Sequence, residues 1–279
     1  MRVGSVAPTR VVIIGVSGRM GQALVRVAGE LPEVRITAAV ASAGSASLGR
    51  DAGVLASVQP LGVEVTSDLT AALAAADVAV DFSRPHATRA NIAACRAARR
   101  PLLIGTTGFA AELTEREIEA AAGEIPLLIA PNTSLGIALL SELVRRAARA
   151  LPSEFDIEIV EAHHRMKRDA PSGTALALVR AAAEGRDLAP AEAVSRSSAG
   201  RIGPRRQGEI GLAVVRGGDI VGEHTVLFAG PGEELRLSHR AGDRAIFARG
   251  ALRAAIWLRG RPAGRYGMSD IVDLDHELS

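Results

Sequence analysis

Residues 161–175 read EAHHRMKRDAPSGTA, and they include two adjacent histidines and an ammonium group that can exchange protons: His163, His164 and Lys167. Lys167 is the only lysine among the 33 Lys and Arg residues of the chain. Arginine and lysine serve about equally well as surface charge, but a guanidinium does not release its proton in a protein and an ammonium can. A chain that uses arginine everywhere else and lysine here points to a position that needs a proton donor. Downstream, Asp169 or Ser172 could cap a following helix and leave the N–H groups of Gly173 and Thr174 to hold an anion such as a carboxylate. Arg165 and Arg168 flank the group but cannot donate protons, so they read as field or solvent-facing charges. The chemistry that fits is proton delivery beside a bound anion, as hydride addition to a C=N or C=C bond requires. Two satisfied structural histidines are the plainer alternative. Zinc could draw on Glu223, His224 and His239, but adjacent histidines usually diverge and the chain has no H-E-x-x-H or cysteine spacing, so no metal is expected.

A second group of residues could hold a nucleotide. GVSGRMG, residues 15–21, follows the apolar run VVII and precedes a helical pattern. Glycines at 15, 18 and 21 allow a tight turn and a close approach of backbone N–H groups to a pyrophosphate at a helix N-terminus, with Arg19 as a further phosphate contact. GTTG (105–108), APNTS (130–134) and Asp81-Phe82 of DFSRP also follow apolar runs, so they should line the nicotinamide half of such a site. Where the second strand ends, an acidic residue would select NAD, but Ala41 and Ser42 stand there. Strict NAD selectivity is therefore not expected, and NADH or NADPH can serve; Arg50 is a nearby cation whose reach is not legible.

These residues need elements to position them. At 279 residues and 48% hydrophobic, the chain is long enough for two ordinary domains. A net charge of +2 and 3% aromatic content point to neither a nucleic-acid partner nor a stacking platform for one. The N-terminus lacks a signal-peptide pattern and no apolar run spans a membrane, so a cytoplasmic protein without membrane contact is expected. Cys95 reads as a small half-buried helix residue, with a reactive thiol as the alternative. From residue 11, β-branched runs alternate with alanine-rich helical stretches up to IPLLIA, which predicts a Rossmann-like, doubly wound parallel sheet of α/β class. At PNTSLG the alternation breaks. The helical IALLSELVRRAARAL, FDIEIVEAHH, the helical TALALVRAAAEG and three strand-like runs over 209–241 predict an α+β domain with a mixed sheet, the last three runs forming an antiparallel meander. The final helical pattern and DIVDL (270–274) should rejoin the first domain. The expected division is residues 1–133 with 244–279 for the dinucleotide and 134–243 for substrate binding and oligomerisation.

Taken in order, GVSGRMG, DFSRP, GTTGF, APNTSLG, EAHHRMKRDAPSGTA and GGDIVGEHTVLFAGPGE resemble the 4-hydroxy-tetrahydrodipicolinate (dihydrodipicolinate) reductases of bacterial lysine and diaminopimelate synthesis, over nearly the whole chain. The resemblance implies NAD(P)H-dependent reduction of a cyclic dicarboxylate by a homotetramer that meets through its sheets. It implies proton-carrying roles for His163 and Lys167, and substrate carboxylate contacts from His164, Gly173 and Thr174. Cofactor contacts would come from Gly15, Val16, Ser17, Gly18, Arg19, Met20, Gly105, Thr106, Thr107, Ala130, Pro131, Asn132 and Thr133. Three positions depart from the family pattern: Met166 stands in place of a third histidine, Thr133 in place of an aromatic or large apolar residue, and Ala41-Ser42 in place of an acid–base pair at the ribose. The rival readings are a dehydrogenase of another amino or imino acid and a non-catalytic nucleotide sensor.

Overall fold

The computed structural model describes residues 7–109, 113–189, 194–196, 205–206 and 208–272. They form two compact units: one runs to Leu135 and resumes at Ala245, and the other is Gly136–Arg244.

In the first unit, strands β1 (Thr9–Ile14), β2 (Val34–Val40), β3 (Val65–Thr66), β4 (Val78–Asp81), β5 (Leu102–Ile104) and β6 (Pro126–Ile129) form one sheet, with β12 (Gly264–Tyr266) added beside β6. The order is β12-β6-β5-β4-β1-β2-β3, and every pairing is parallel. Val11, Val12 and Ile13 are fully buried in succession, which is why these strands are continuous apolar runs: a parallel sheet is covered on both faces. Helices α3 (Leu69–Ala74), α4 (Thr88–Ala98) and α5 (Glu115–Ala122) contribute Leu73, Ile92, Cys95 and Ile118 to the core on one face. Helix α1 (Arg19–Ala28) packs against α8 (Ala245–Leu258), and α8 in turn packs on β4 and β5. The returning chain thus extends the helical layer that α1 begins.

Local chemistry sets the boundaries. Thr114 and Glu117 close a reciprocal capping box at the start of α5. The Asp51 carboxylate caps α2 (Ala52–Leu55) through Gly53 and Val54 and accepts three more N–H groups, from Leu61, Gly62 and Val63, so one side chain organises the whole approach to β3. At the C-terminal end the strand that rejoins the sheet is Gly264–Tyr266; the DIVDL stretch instead enters a 3-10 turn at Ser269–Ile271, and its Asp273 and Leu274 lie outside the described residues.

In the second unit, α6 (Leu135–Ala150) leads into β7 (Asp156–His163), α7 (Gly173–Gly185), β8 (Val194–Arg196), β9 (Ile210–Arg216), β10 (Gly222–Gly230) and β11 (Glu233–Ala241). The five strands lie in the order β11-β10-β7-β9-β8. The sheet is mixed as expected, but the meander is not formed: β9 and β10 do not pair, because β7 lies between them, parallel to β9 and antiparallel to β10. The physical reason is that the chain, after crossing through α7 to the edge strand β8, returns in β9 parallel to β7 and takes up one edge of β7 before β10 arrives. Only the Gly-Pro-Gly turn makes a hairpin, between β10 and β11, with Gly232 at φ +82°. One face of this sheet is covered by α6 and α7, where Leu140, Val144 and Leu178 meet Ile159, Leu212 and Phe228. On the other face Val160 and Val215 stay 40% and 45% exposed.

Candidate active site

Ile14, Asp81, Ile104 and Ile129 end their strands in one line of register. The loops that follow therefore leave the sheet side by side, at the point where the strand order reverses between β1 and β4. Gly15 adopts φ +85°, and a Cβ there would stand 2.6 Å from the Phe82 carbonyl oxygen; a Cβ on Gly21 would stand 2.4 Å from the Gly15 oxygen. Both positions admit only glycine, and their result is a tight turn into α1. No side chain caps α1 at Gly18, so its first-turn N–H groups face outward as helix starts do. Beside them is a cleft of about 530 Å³ lined by Gly15, Ser17, Gly18, Ala41, Ser42 and Arg84 among others, with no carboxylate among its lining residues. A glycine turn, an uncapped helix start and an adjoining cleft fit a dinucleotide.

The sequence-predicted cofactor residues are not equivalent in this frame. Gly15, Ser17 and Gly18 line the cleft, Arg19 is exposed and Met20 is half-buried. Val16 is fully buried and its N–H is bound to the Val40 carbonyl, so its contribution is to the turn itself. The N–H groups of Gly105 and Thr106 both donate to the Asp81 carbonyl, and the Asp81 carboxylate accepts from Ser83 N–H, Asn91 Nδ2 and Thr106 Oγ1. Asp81 thereby ties two of the loops together; Thr107 is exposed. Ala130 is buried with its N–H on Ile104, Pro131 is exposed, and Asn132 accepts from Ser134 N–H. Thr133 is buried, its hydroxyl donating to the Phe247 carbonyl at 2.6 Å, so it anchors its loop to α8. Ser67, Leu69 and His86 also line the cleft; they lie just before and at the start of the short α3 and in a 3-10 turn, with no motif to announce them. Cys95 is fully buried rather than half-buried, and burial, with the nearby Asp81 charge, pushes its thiol up to about 12, which removes the reactive alternative.

The second unit builds its site on β7. Side chains alternate along a strand, so Ile157, Ile159, Glu161 and His163 share the inner face. That face is apolar core for its first half and becomes polar at its carboxyl end. Glu161 is fully buried, with Arg216 NH1 and NH2 at 3.0 and 2.8 Å, the Ser172 N–H at 3.0 Å and Nδ1 of His163 in close contact. Burial pushes its carboxyl up, but Arg216, His163 and the Ser172 amide outweigh it and hold the carboxyl below the usual range. Burial likewise lowers His163; Glu161 opposes that, and the cations Lys167 and Arg216 add to it. His224 meets His163 edge to face at 5.2 Å and shares a 3.2 Å hydrogen bond with Ser172 Oγ. Burial, then the His163 charge, lowers His224 to about 4, so it is neutral near pH 7.

His164, next in sequence, diverges from this cluster as neighbouring strand residues must, and its Nε2 accepts from Arg244 at 3.1 Å. Lys167, half-buried, pairs with Asp169 at 2.9 Å, so Asp169 is not the helix cap. The cap of α7 is Ser172, whose Oγ accepts from the Ala175 N–H, and Gly173 and Thr174 open the helix. Arg165 and Arg168 are exposed, as is Met166 at 76%. Glu161, His163 and His224 place ligating atoms within 4.8 Å of one another, but Arg216 already holds both oxygens of Glu161 and would put its fixed positive charge beside any cation. Glu223, which the zinc reading named with His224 and His239, is exposed on the opposite face of β10 from His224. The arrangement places a histidine and a lysine, both of types able to exchange protons, near a helix start, with Arg244 on His164. Glu161 and Arg216 were not foreseen, although the E-x-H spacing on a strand is the signal that places Glu161 beside His163.

Comparison with known proteins agrees with this geometry. Residues 9–133 match the N-terminal and residues 136–272 the C-terminal family description of dihydrodipicolinate reductase. The chain is 51% identical over 268 residues to a 4-hydroxy-tetrahydrodipicolinate reductase of Alkalilimnicola ehrlichii, covering 95% of this chain and 99% of the relative. It is 48% identical over 266 residues to that of Anaeromyxobacter dehalogenans, covering 95% and 98%. In fold it is similar to the dipicolinate-bound dihydrodipicolinate reductase of Paenisporosarcina sp. TG-14, with a TM-score of 0.75 at 24% identity over 95% of this chain and 99% of that one. An amine dehydrogenase of Mycobacterium smegmatis shares the fold more loosely, with a TM-score of 0.56 at 16% identity over 94% and 95%. The chain belongs to the dihydrodipicolinate reductase family.

Proposed function

We propose that the chain catalyses the NAD(P)H-dependent reduction of (2S,4S)-4-hydroxy-2,3,4,5-tetrahydrodipicolinate to (S)-2,3,4,5-tetrahydrodipicolinate with release of water, in the diaminopimelate route to L-lysine. The observation that carries this reading is the identity of 48% and 51% to reductases of that name over 95% of the chain. The site supports it: His163 on a buried carboxylate, Lys167 beside it and a helix start next to both provide for a dicarboxylate that must exchange protons.

The cofactor is held by the first unit, through Gly15 to Met20, Gly105 to Thr107 and Ala130 to Thr133, and when bound it supplies the hydride. Ser42 and Arg84 in a cleft without a carboxylate neither require a free ribose hydroxyl nor repel a 2′-phosphate, which supports use of both NADH and NADPH. The substrate is held by the second unit, its carboxylates by His164, Gly173 and Thr174, while His163 and Lys167 move protons. The sheet face bearing Val160 and Val215 supports assembly into a homotetramer. No helix of the described residues is long and apolar enough to cross a membrane, and cytoplasmic residence follows from the proposed pathway.

The test follows NADH and NADPH absorbance with freshly generated 4-hydroxy-tetrahydrodipicolinate and the purified full chain. Substrate-dependent oxidation with formation of tetrahydrodipicolinate is expected. Oxidation of aspartate or a related amino acid instead would assign the chain to a different dehydrogenase, and binding of both ligands without turnover would make it a sensor.

A further inference from the structure

Burying a carboxylate is unfavourable unless every lone pair is met, so Glu161 at the end of an apolar strand face requires a reason. Three of its contacts are to groups that can only donate: Arg216 NH1 and NH2 and the Ser172 N–H. They fix the carboxylate as an ionised acceptor. The fourth contact, Nδ1 of His163, must then also be a donor. A neutral imidazole has one N–H, and with that proton on Nδ1 the lone pair lies on Nε2.

We infer that Glu161, clamped by Arg216, is the positioning residue that holds His163 in its Nδ1–H tautomer, and that Gly222 keeps the Nε2 acceptor uncovered. A Cβ at position 222 would stand 3.1 Å from His163 Nε2 and 3.4 Å from its Cδ2, so a side chain there would cover the nitrogen. Arg216 does more than neutralise Glu161: its NH2 also donates to the Asp169 carbonyl at 2.8 Å, tying the Lys167 loop to the same carboxylate. The charged and titratable groups that face His163 are Glu161 on its own strand, Arg216 on β9, His224 on β10 and Lys167 on the loop, with His239 paired to His224 from β11. The net lowering of His163 agrees with an imidazole that is neutral near pH 7.

The inference rests on the proposed reaction for its chemical consequence. His163 begins the cycle as a base. Its Nε2 takes a proton from the ring carbon between the imine and the hydroxyl-bearing carbon, while the hydroxyl takes a proton from Lys167 and leaves as water. After hydride has been added, His163 returns its proton to the same ring carbon. One hydride and one proton are consumed and one water is released, as the overall reduction requires.

The test begins with the unaltered protein. Nitrogen-15 NMR of the histidine rings, with His163 assigned by its loss in His163→Gln, reads the tautomer without substrate or turnover. Nδ1–H with a bare Nε2 is expected, and Nε2–H would overturn the inference even if the enzyme is active. Conversely, the Nδ1–H tautomer in a chain without reductase activity would leave the positioning intact and remove the proposed reaction. In Glu161→Gln the charge that raises the His163 proton affinity is lost, so the acid limb of kcat/KM should move to lower pH. There kcat should fall by ~10²-fold or more with little change in substrate KM, as when the orienting carboxylate of a histidine base is neutralised. An unmoved limb with unchanged kcat would overturn the role of Glu161. Gly222→Ala leaves the buried ion pair intact: lowered kcat is expected, and unchanged kcat would overturn the role given to Gly222.

Discussion

Lys167 and its neighbours owe their chemistry to residue type, and at this scale much was legible. A lone lysine among arginines, two histidines and a Ser-Gly-Thr turn point, from residue type alone, to proton transfer beside an anion. The partners of those residues were not legible, because they come from distant parts of the chain: Arg216 reaches Glu161 across 55 residues, as the β7–β9 register sets it opposite His163. Nor was the full burial of Cys95, since a three-to-four spacing shows which side of a helix faces inward but not how deep. That depth has a consequence for reactivity. With its thiol raised to about 12 and no exposed surface, Cys95 should resist iodoacetamide at pH 8 in the native protein and react fully in denaturant, as mass spectrometry would read. Native labelling at a rate near that of a free thiol would mean that α4 opens easily.

Elements were legible where an apolar run or a helical period is continuous. The runs that became β1, β2, β4, β5, β6 and β7 and helices α1, α4, α6, α7 and α8 all carry clear period or continuous apolar character. The short α2, α3 and β3 carry too few residues for a period, and carboxylate caps rather than hydrophobic pattern shape them, Asp51 at α2 and the approach to β3 and Asp68 at α3. Strand order in the second unit is not legible in the sequence, because turn signals mark where strands end, not which strand pairs with which. Gly250, mid-way along α8, shows what packing adds to propensity. Alanine would ordinarily stabilise such a position by about 1 kcal/mol. Here a Cβ would stand 1.8 Å from the Thr133 carbonyl oxygen, which is backbone and cannot turn away. Gly250→Ala should therefore lower the melting midpoint, by the equivalent of about 1–3 kcal/mol for an overpacked contact. Because Thr133 ends one of the proposed cofactor loops, KM for NAD(P)H should rise as well. A raised midpoint would show that α8 and this loop separate without cost.

At the scale of the molecule, the buried histidines set how the protein responds to acid. The unfolded His224 titrates near its ordinary 6.5 and the folded one at about 4, so between these values the unfolded chain binds a proton that the native one refuses. Stability therefore falls as pH drops from 6.5 towards 4, by on the order of 3 kcal/mol from this group. His163, also lowered, acts in the same direction, and the lowered Glu161 extends the loss as pH falls further. The urea midpoint should drop clearly between pH 7 and pH 4.5; an unchanged midpoint would mean that His224 is solvated. The proposed reaction assigns the cofactor to the first unit and the substrate to the second, and its turnover needs both. The measurement that tests this most directly follows NADH and NADPH oxidation with 4-hydroxy-tetrahydrodipicolinate, comparing the unaltered chain with Lys167→Arg, which keeps the charge and loses the releasable proton. Turnover by the unaltered chain and a kcat reduced by roughly 10²–10⁴ in the variant, with substrate still bound, is the predicted result. Equal kcat in both would contradict the role of Lys167, and no turnover with either nucleotide, despite binding of both ligands, would contradict the reductase itself.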